Sequence, residues 1–156
     1  MDKYFAAYLA GFLDADGSIY VQLKSNTSYR YRFQVYAQIT FYQAAKAKAF
    51  LEDLCALTTF GYIRERRDGI CEYIIGDTES MLALLDSIEP YLRLKKEQAQ
   101  LLRTIIMRKQ NITSAQEFVA LAELVDRFRE LNYSKKRSNT ADVVRQKLRD
   151  EGLLTP

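Results

Sequence analysis

The sequence contains no histidine. That absence excludes a zinc site built on imidazole and any nucleophile activated through a Ser–His or Cys–His pair. A hydrolase of this composition must work with carboxylates, lysines, water and a hard cation. Only two cysteines are present, Cys55 and Cys71, in apolar surroundings and without metal-type spacing, which reads as buried free thiols. Tryptophan is absent while tyrosine supplies 11 residues, an imbalance that excludes no class. No stretch has the apolar length of a membrane span, and the N-terminus shows no basic-then-apolar signal pattern. The expectation is a soluble, intracellular protein without a membrane partner; chloroplast, mitochondrion and bacterial cytoplasm are not distinguishable. The 156 residues, 48% hydrophobic and 28% charged, suit one folded domain over 1–156. A net charge of +3 is by itself a weak pointer to any partner.

Periodicity gives the elements. Asp2 to Leu13, rich in Ala, Leu and Phe, reads as a helix. Asp14-Ala15-Asp16-Gly17 reads as a turn in which Gly17 can take positive φ. Ile19, Val21 and Leu23 then alternate with polar neighbours, as do Tyr31, Phe33, Val35, Ala37 and Ile39 after the polar loop Ser25 to Ser28. Two such runs predict a hairpin with one apolar face. Ala44 to Leu57 returns to helix formers. Tyr62 to Arg67 and Ile70 to Ile75 form a second hairpin about Asp68-Gly69. Helices follow over Thr78 to Ile88, closed by Pro90, and over Lys95 to Arg108. Ser114 and Glu117 form a capping-box pattern ahead of the stripe Phe118, Leu121, Val125 and Phe128. A polar basic link, Asn132 to Thr140, precedes a last helix, Ala141 to Glu151, that ends at Gly152. Helix plus hairpin occurs twice, and the class is α+β. The core is expected from Tyr31, Phe33, Val35, Ile39, Phe50, Leu51, Leu54, Leu101, Ile105, Phe118, Leu121 and Val125.

The first helix carries the chemistry. Ala7, Gly11 and Ala15 recur at four-residue spacing beside Ala6 and Ala10. Small residues on one helical face let two backbones approach closely. Two carboxylates, Asp14 and Asp16, then fall at the helix C-terminus, where anions are disfavoured by roughly 0.3–1 kcal/mol. A bound cation reverses that sign, and oxygen ligands suit Mg²⁺, which keeps several waters and takes one or two carboxylates plus phosphate oxygens. Taken alone, Asp-Ala-Asp-Gly is an ordinary turn; the close-packing strip before it is what singles it out.

Leu9-Ala10-Gly11-Phe12-Leu13-Asp14-Ala15-Asp16-Gly17 resembles the motif of the LAGLIDADG homing endonuclease family, with Phe12 at one aliphatic place. Tyr8 before it and Ser18-Ile19 after it are also typical. The likeness extends through Phe50 to Leu54, Gly61 to Arg64, Pro90 to Lys95 and Ser134 to Arg137, and is strongest to the single-motif homodimeric I-CreI type. The resemblance implies an αββαββα fold with an antiparallel β saddle and additional C-terminal helices. It implies a site-specific double-strand DNA endonuclease of the intron-homing type, acting at a long pseudo-palindromic target with a divalent metal. Mg²⁺ is the expected ion, with Mn²⁺ or Ca²⁺ able to take the same site; no small-molecule cofactor is implied. One motif implies a homodimer through Ala7, Leu9, Ala10, Gly11, Leu13 and Asp14. By residue, Asp16 matches the metal-binding Asp, Ala15 the position contributing a backbone carbonyl, Gln43 a water-positioning residue and Lys95 the active-site Lys. The basic residue expected near position 47 is replaced by Ala47, with Lys46 and Lys48 flanking it.

The first hairpin agrees with a nucleic-acid partner independently of the family, whereas on the second Arg64, Arg66 and Arg67 face Glu65, Asp68 and Glu72, so the signs mix and the pointer is weaker. From Ser18 through Thr40 there are Lys24, Arg30 and Arg32 but no Asp or Glu, whereas a solvated sheet face usually mixes signs. A β-ribbon fits the major groove, where Arg and Lys reach phosphates or guanine and Gln reads adenine. The expected DNA-binding set on the first hairpin is Tyr20, Gln22, Lys24, Asn26, Ser28, Tyr29, Arg30, Arg32, Gln34, Tyr36, Gln38 and Thr40. Lys46, Lys48, Arg64, Arg66, Glu72, Ile74, Ser134, Lys135, Lys136 and Arg137 complete it. Competing readings are an intron RNA maturase, a non-cutting DNA-binding regulator on the same fold, and a dimeric protein-interaction domain joined through the small-residue helix.

Overall fold

The computed structural model describes residues 1–132 and 138–154. Its elements are α1 (Lys3–Asp16), β1 (Gly17–Ser25), β2 (Phe33–Ala44), α2 (Lys48–Thr58), β3 (Tyr62–Glu65), β4 (Ile70–Ile75), α3 (Thr78–Ile88), α4 (Lys96–Lys109), α5 (Ala115–Leu131) and α6 (Ala141–Asp150). The four strands form one sheet in the order β1-β2-β4-β3, with β4 antiparallel to both β2 and β3. The α-β-β-α-β-β-α order with extra C-terminal helices is therefore present. Contacts divide the chain into two compact units, Met1–Tyr20 with Gln38–Gln100 and Val21–Ala37 with Leu101–Pro156.

In the first unit, α1 begins because the Asp2 carboxylate accepts the Tyr4 and Phe5 N–H groups at 2.9 and 3.1 Å. The helix buries Ala6, Leu9, Ala10 and Leu13. Complete burial of each leucine contributes about 1.5–3 kcal/mol relative to exposure. Phe12 joins an aromatic cluster, with ring centroids 5.3 Å from Phe41 and 5.7 Å from Phe50. Phe41 faces Tyr73 across the β2–β4 ladder and stacks on it at 5.5 Å. The buried Tyr73 hydroxyl bonds the Thr58 hydroxyl, and burial pushes its phenol up to about 12. Gly69, at φ +80°, closes the β3–β4 turn, in which the Arg66 N–H donates to the Ile70 carbonyl at 2.8 Å.

In the second unit, the capping box at Ser114 is present, with the Glu117 N–H 3.2 Å from the Ser114 hydroxyl and the Ser114 N–H 3.1 Å from the Glu117 carboxylate. Phe118, Leu121, Val125 and Phe128 line the buried stripe of α5. Thr140 caps α6, which buries Ala141, Val144 and Leu148. The flanks of α6 hold the first hairpin. Asn139 Nδ2 donates to the Leu23 carbonyl at 2.9 Å, and the Arg32 guanidinium pairs with Glu151.

Three boundaries and the role of Gly17 differ from the periodicity. α1 runs through Asp16 instead of stopping at Leu13, so Asp14-Ala15-Asp16 is helix, not turn. Gly17 is extended (φ −112°, ψ 173°), so it is not needed for positive φ. It is needed for space, since a Cβ there would lie 2.8 Å from Leu13 Cα and O, where the strand leaves directly from the last helical turn. β2 begins at Phe33, after a tight turn in which Arg32 takes φ +63° and Asn26 Oδ1 accepts the Ser28 N–H at 3.1 Å. A 3₁₀ turn, Ala45–Ala47, precedes α2, which starts at Lys48 rather than Ala44. In the expected core, Tyr31 and Phe50 are half-buried and the others are buried. Cys71 is a buried free thiol, whereas Cys55 is free but only half-buried.

Candidate active site and nucleic-acid interface

The two carboxylates at the end of α1 have different surroundings. Asp14 Oδ2 accepts the backbone N–H groups of Arg93 and Leu94 at 2.8 and 3.1 Å, and Oδ1 accepts that of Lys95 at 2.9 Å. The Asp14 carbonyl receives the Lys95 ammonium at 2.6 Å. The awkward charge at a helix C-terminus therefore reduces to Asp16, which is exposed. Lys95 is half-buried. Desolvation lowers its pKa below the ordinary lysine value, and the negative charges of Asp14 and Asp16 oppose that shift.

Asp16 and Ala15 are both exposed, and the Asp16 carboxylate and Ala15 carbonyl are hard oxygen donors on adjacent residues. That donor set fits Mg²⁺ or Ca²⁺ and not a thiophilic metal. Among the described residues no three His, Cys, Asp or Glu converge on one point. Two such donors would fill a small share of a hard cation's coordination shell. Gln43 stands opposite Cys71 in the β2–β4 register, on the strand face of Phe41, and is half-buried. Lys46 lies exposed on the 3₁₀ turn, whereas Lys48 pairs with Glu65 at 3.5 Å and Glu52 at 3.8 Å.

The residues assigned to self-association separate cleanly. Ala7 and Gly11 are exposed, as is Ala15, so the small-residue strip faces outward. Leu9, Ala10 and Leu13 have 0% exposure, so they belong to the interior of the chain and not to a surface. Asp14 is engaged by the chain just before α4.

The residues assigned to DNA also separate. In the second unit, Gln22, Lys24, Gln34 and Tyr36 are half-buried on β1 and β2, with Lys24 Nζ 3.4 Å from the Tyr36 ring centroid. Ser28, Tyr29 and Arg30 are exposed on the turn, while Asn26 is half-buried there. Arg32 commits its guanidinium to Glu151 and to the Thr27 carbonyl at 2.8 Å, so the turn uses it as a brace. In the first unit, Tyr20 and Gln38 are half-buried, and Gln38 donates to Thr40 at 3.0 Å. Thr40 and Ile74 face each other in the register and are both buried, so neither is presented to a partner. Glu72 is buried as well. It holds Arg64 Nε at 2.6 Å and Arg66 at 3.6 Å, so the carboxylate assigned to DNA is engaged within the protein. Arg64 and Arg66 are exposed. Ser134, Lys135, Lys136 and Arg137 lie outside the described residues. Sequence reasoning set Glu72 facing the arginines of the second hairpin while also assigning it to DNA, and it missed Glu151 as the partner of Arg32.

A family model for the LAGLIDADG endonuclease matches residues 9–107. The DNA endonuclease I-CreI of Chlamydomonas reinhardtii is 35% identical over 148 residues, covering 92% of this chain and 88% of its own. The DNA endonuclease I-CvuI of Chlorella vulgaris is 34% identical over 151 residues, covering 97% and 94%. The structure of I-CvuI bound to the I-CreI target with 2 mM Mg, its DNA not cleaved, superposes with a TM-score of 0.92 at 33% identity over 97% of each chain. The archaeal intron-encoded I-Vdi141I in complex with DNA, at 18% identity and a TM-score of 0.85 over 96% of this chain and 98% of its own, shares the fold.

Proposed function

This chain belongs to the LAGLIDADG endonuclease family and is a site-specific DNA-cleaving hydrolase, and we propose that it acts as a homodimer on a pseudo-palindromic double-stranded target. The observation that carries the finer reading is the position of Asp16. It is an exposed carboxylate at the end of a helix whose outward strip is Ala7, Gly11 and Ala15. Two such helices packed through that strip would bring two Asp16 side chains together over two scissile phosphates. Symmetry of the protein then requires symmetry of the half-sites.

Asp16 and the Ala15 carbonyl would hold Mg²⁺, which supplies charge stabilisation to the attacking and leaving oxygens of an in-line displacement. Lys95 offsets the charge that builds on the pentacoordinate phosphorus. Gln43 orients the attacking water by hydrogen bonding, and with no histidine in the chain the proton passes to solvent. The polar side chains of the hairpins supply the contacts to bases and phosphates: Gln22, Lys24, Gln34, Tyr36 and Gln38 from the first, Arg64 and Arg66 from the second. Lys46, exposed where Lys48 is ion-paired, takes the role of the basic residue missing at Ala47.

The test is selection of cleavable sites from a randomised palindromic DNA library in Mg²⁺, followed by the Asp16→Asn variant on the selected site. Double-strand cleavage should require the carboxylate, while DNA affinity stays within about threefold of wild type. Near wild-type cleavage by Asp16→Asn would remove the metal assignment.

A further inference from the structure

The motif's other carboxylate, Asp14, is within reach of the same helix end but is arranged for a different task. Three consecutive backbone N–H groups, those of Arg93, Leu94 and Lys95, converge on it at 2.8–3.1 Å. Successive N–H groups of this kind form a concavity that favours an anion. They sit immediately before α4, whose first intrahelical bond runs from the Ala99 N–H to the Lys95 carbonyl at 2.9 Å. The carboxylate therefore fixes the chain where it enters α4, and Lys95 is the residue at that entry. The same Asp14 also binds the other end of Lys95, since its carbonyl accepts the ammonium at 2.6 Å. That carbonyl belongs to the last turn of α1, where the helix leaves oxygens without N–H partners. One residue thus grips both the backbone and the side-chain tip of Lys95.

We propose that Asp14 is a positioning residue: it seats Lys95 against the end of α1, beside Asp16, and takes no part in metal binding. The proposal rests on the nuclease reading for its catalytic consequence, while its structural half stands independently. Without the carboxylate, three N–H groups lose their common acceptor, the 93–95 segment loosens and the ammonium leaves its seat. Asp14→Asn offers an amide with one accepting and one donating face to three donors, so it restores part of the arrangement.

The experiment has two arms. In the first, amide hydrogen exchange of the 93–95 segment and acetylation of Lys95 by an NHS ester are read by mass spectrometry on the free protein. Asp14→Ala should speed both by tenfold or more and Asp14→Asn by less; unchanged protection and labelling would overturn the proposal without touching the nuclease assignment. In the second, single-turnover cleavage of the library-selected target is measured for Asp14→Ala, Lys95→Ala and the double variant across Mg²⁺ concentrations. A displaced charged group costs about 100-fold in rate. Asp14→Ala should lose about that factor in the wild-type background, less than about threefold in the Lys95→Ala background, and keep the Mg²⁺ half-saturation of wild type. A full loss in both backgrounds, or a raised Mg²⁺ requirement, overturns the proposal and makes Asp14 a metal ligand. Failure of wild type to cut any library member would instead overturn the parent reading.

Discussion

Replacing Gly11 should change protomer stability and self-association in opposite directions. Gly11 lies mid-way along α1 and is exposed, and a Cβ built on it meets nothing within 4 Å in the protomer. For an isolated chain, glycine there is a liability, because an exposed helical glycine costs about 0.8–1.0 kcal/mol relative to alanine. Gly11→Leu, another good helix former, should therefore stabilise a dilute protomer by somewhat under about 1 kcal/mol, a Tm rise of roughly 2–4 °C for a chain of this size. In a dimer built through the Ala7–Gly11–Ala15 strip the sign reverses. Each partner would insert an isobutyl group where two backbones approach. Overpacking of that sort costs roughly 1–3 kcal/mol per site, and symmetry counts it twice. A penalty of roughly 2–6 kcal/mol raises the dimer Kd by about 30-fold to 10⁴-fold at 1.4 kcal/mol per decade. Sedimentation velocity from nanomolar to micromolar protein, with thermal melts at both ends of that range, reads both effects. A Gly11→Leu protein that dimerises like wild type would refute the argument, as would a wild type that stays monomeric on a palindromic target.

Two further outcomes follow from local geometry. Gly17→Ala keeps an allowed backbone but places its Cβ 2.4 Å from Leu13 Cδ1 and 2.8 Å from the Leu13 backbone; it should lower stability by about 1–3 kcal/mol, and a Tm at or above wild type would contradict the crowding argument. The Ser80 N–H, 2.8 Å from Asp77 Oδ1 at the start of α3, holds the Asp77 carboxyl below the usual carboxylate range. A depressed folded pKa gives stability that is present above the unfolded value and lost as pH falls through the folded one. Asp77→Ala should cost about 1 kcal/mol at neutral pH, with the gap to wild type narrowing in thermal melts below about pH 4; an equal gap at both pH values would show that the charge plays no part.

Much of the fold and part of the site follow from local pattern. The alternation of Ile19, Val21 and Leu23 sets one buried face, Asp68-Gly69 makes the turn, and the Ser114–Glu117 box starts α5. The outward strip of α1 also follows from spacing. What the sequence conceals is tertiary. Asp14 finds its acceptor role through N–H groups 79–81 residues away, and Arg32 meets Glu151 at a separation of 119. Neither partner leaves a trace in the local pattern. Thr40 is polar and falls on the polar side of an alternating strand, yet it lies across from Ile74 with no exposed surface. Polarity marks the face of a strand but not whether neighbouring side chains roof it over. The turn pattern of Asp14-Ala15-Asp16-Gly17 hid the true end of α1 at Asp16, because the partners that engage Asp14 inside the helix, Lys95 and the 93–95 amides, are distant in sequence.

The buried carboxylate of Glu72 is shared between two guanidinium groups on the neighbouring strand and turn. Its consequence concerns redesign. A library that varies Arg64 alone leaves the buried Glu72 carboxylate with only the longer Arg66 contact at 3.6 Å, and one that varies Glu72 alone takes a partner from both arginines, of which Arg66 keeps Asp68. The three positions form one coupled unit, and with Arg64 and Arg66 on the DNA as proposed, altered preference for a base pair should emerge from joint substitutions whose effects cannot be summed from the single ones.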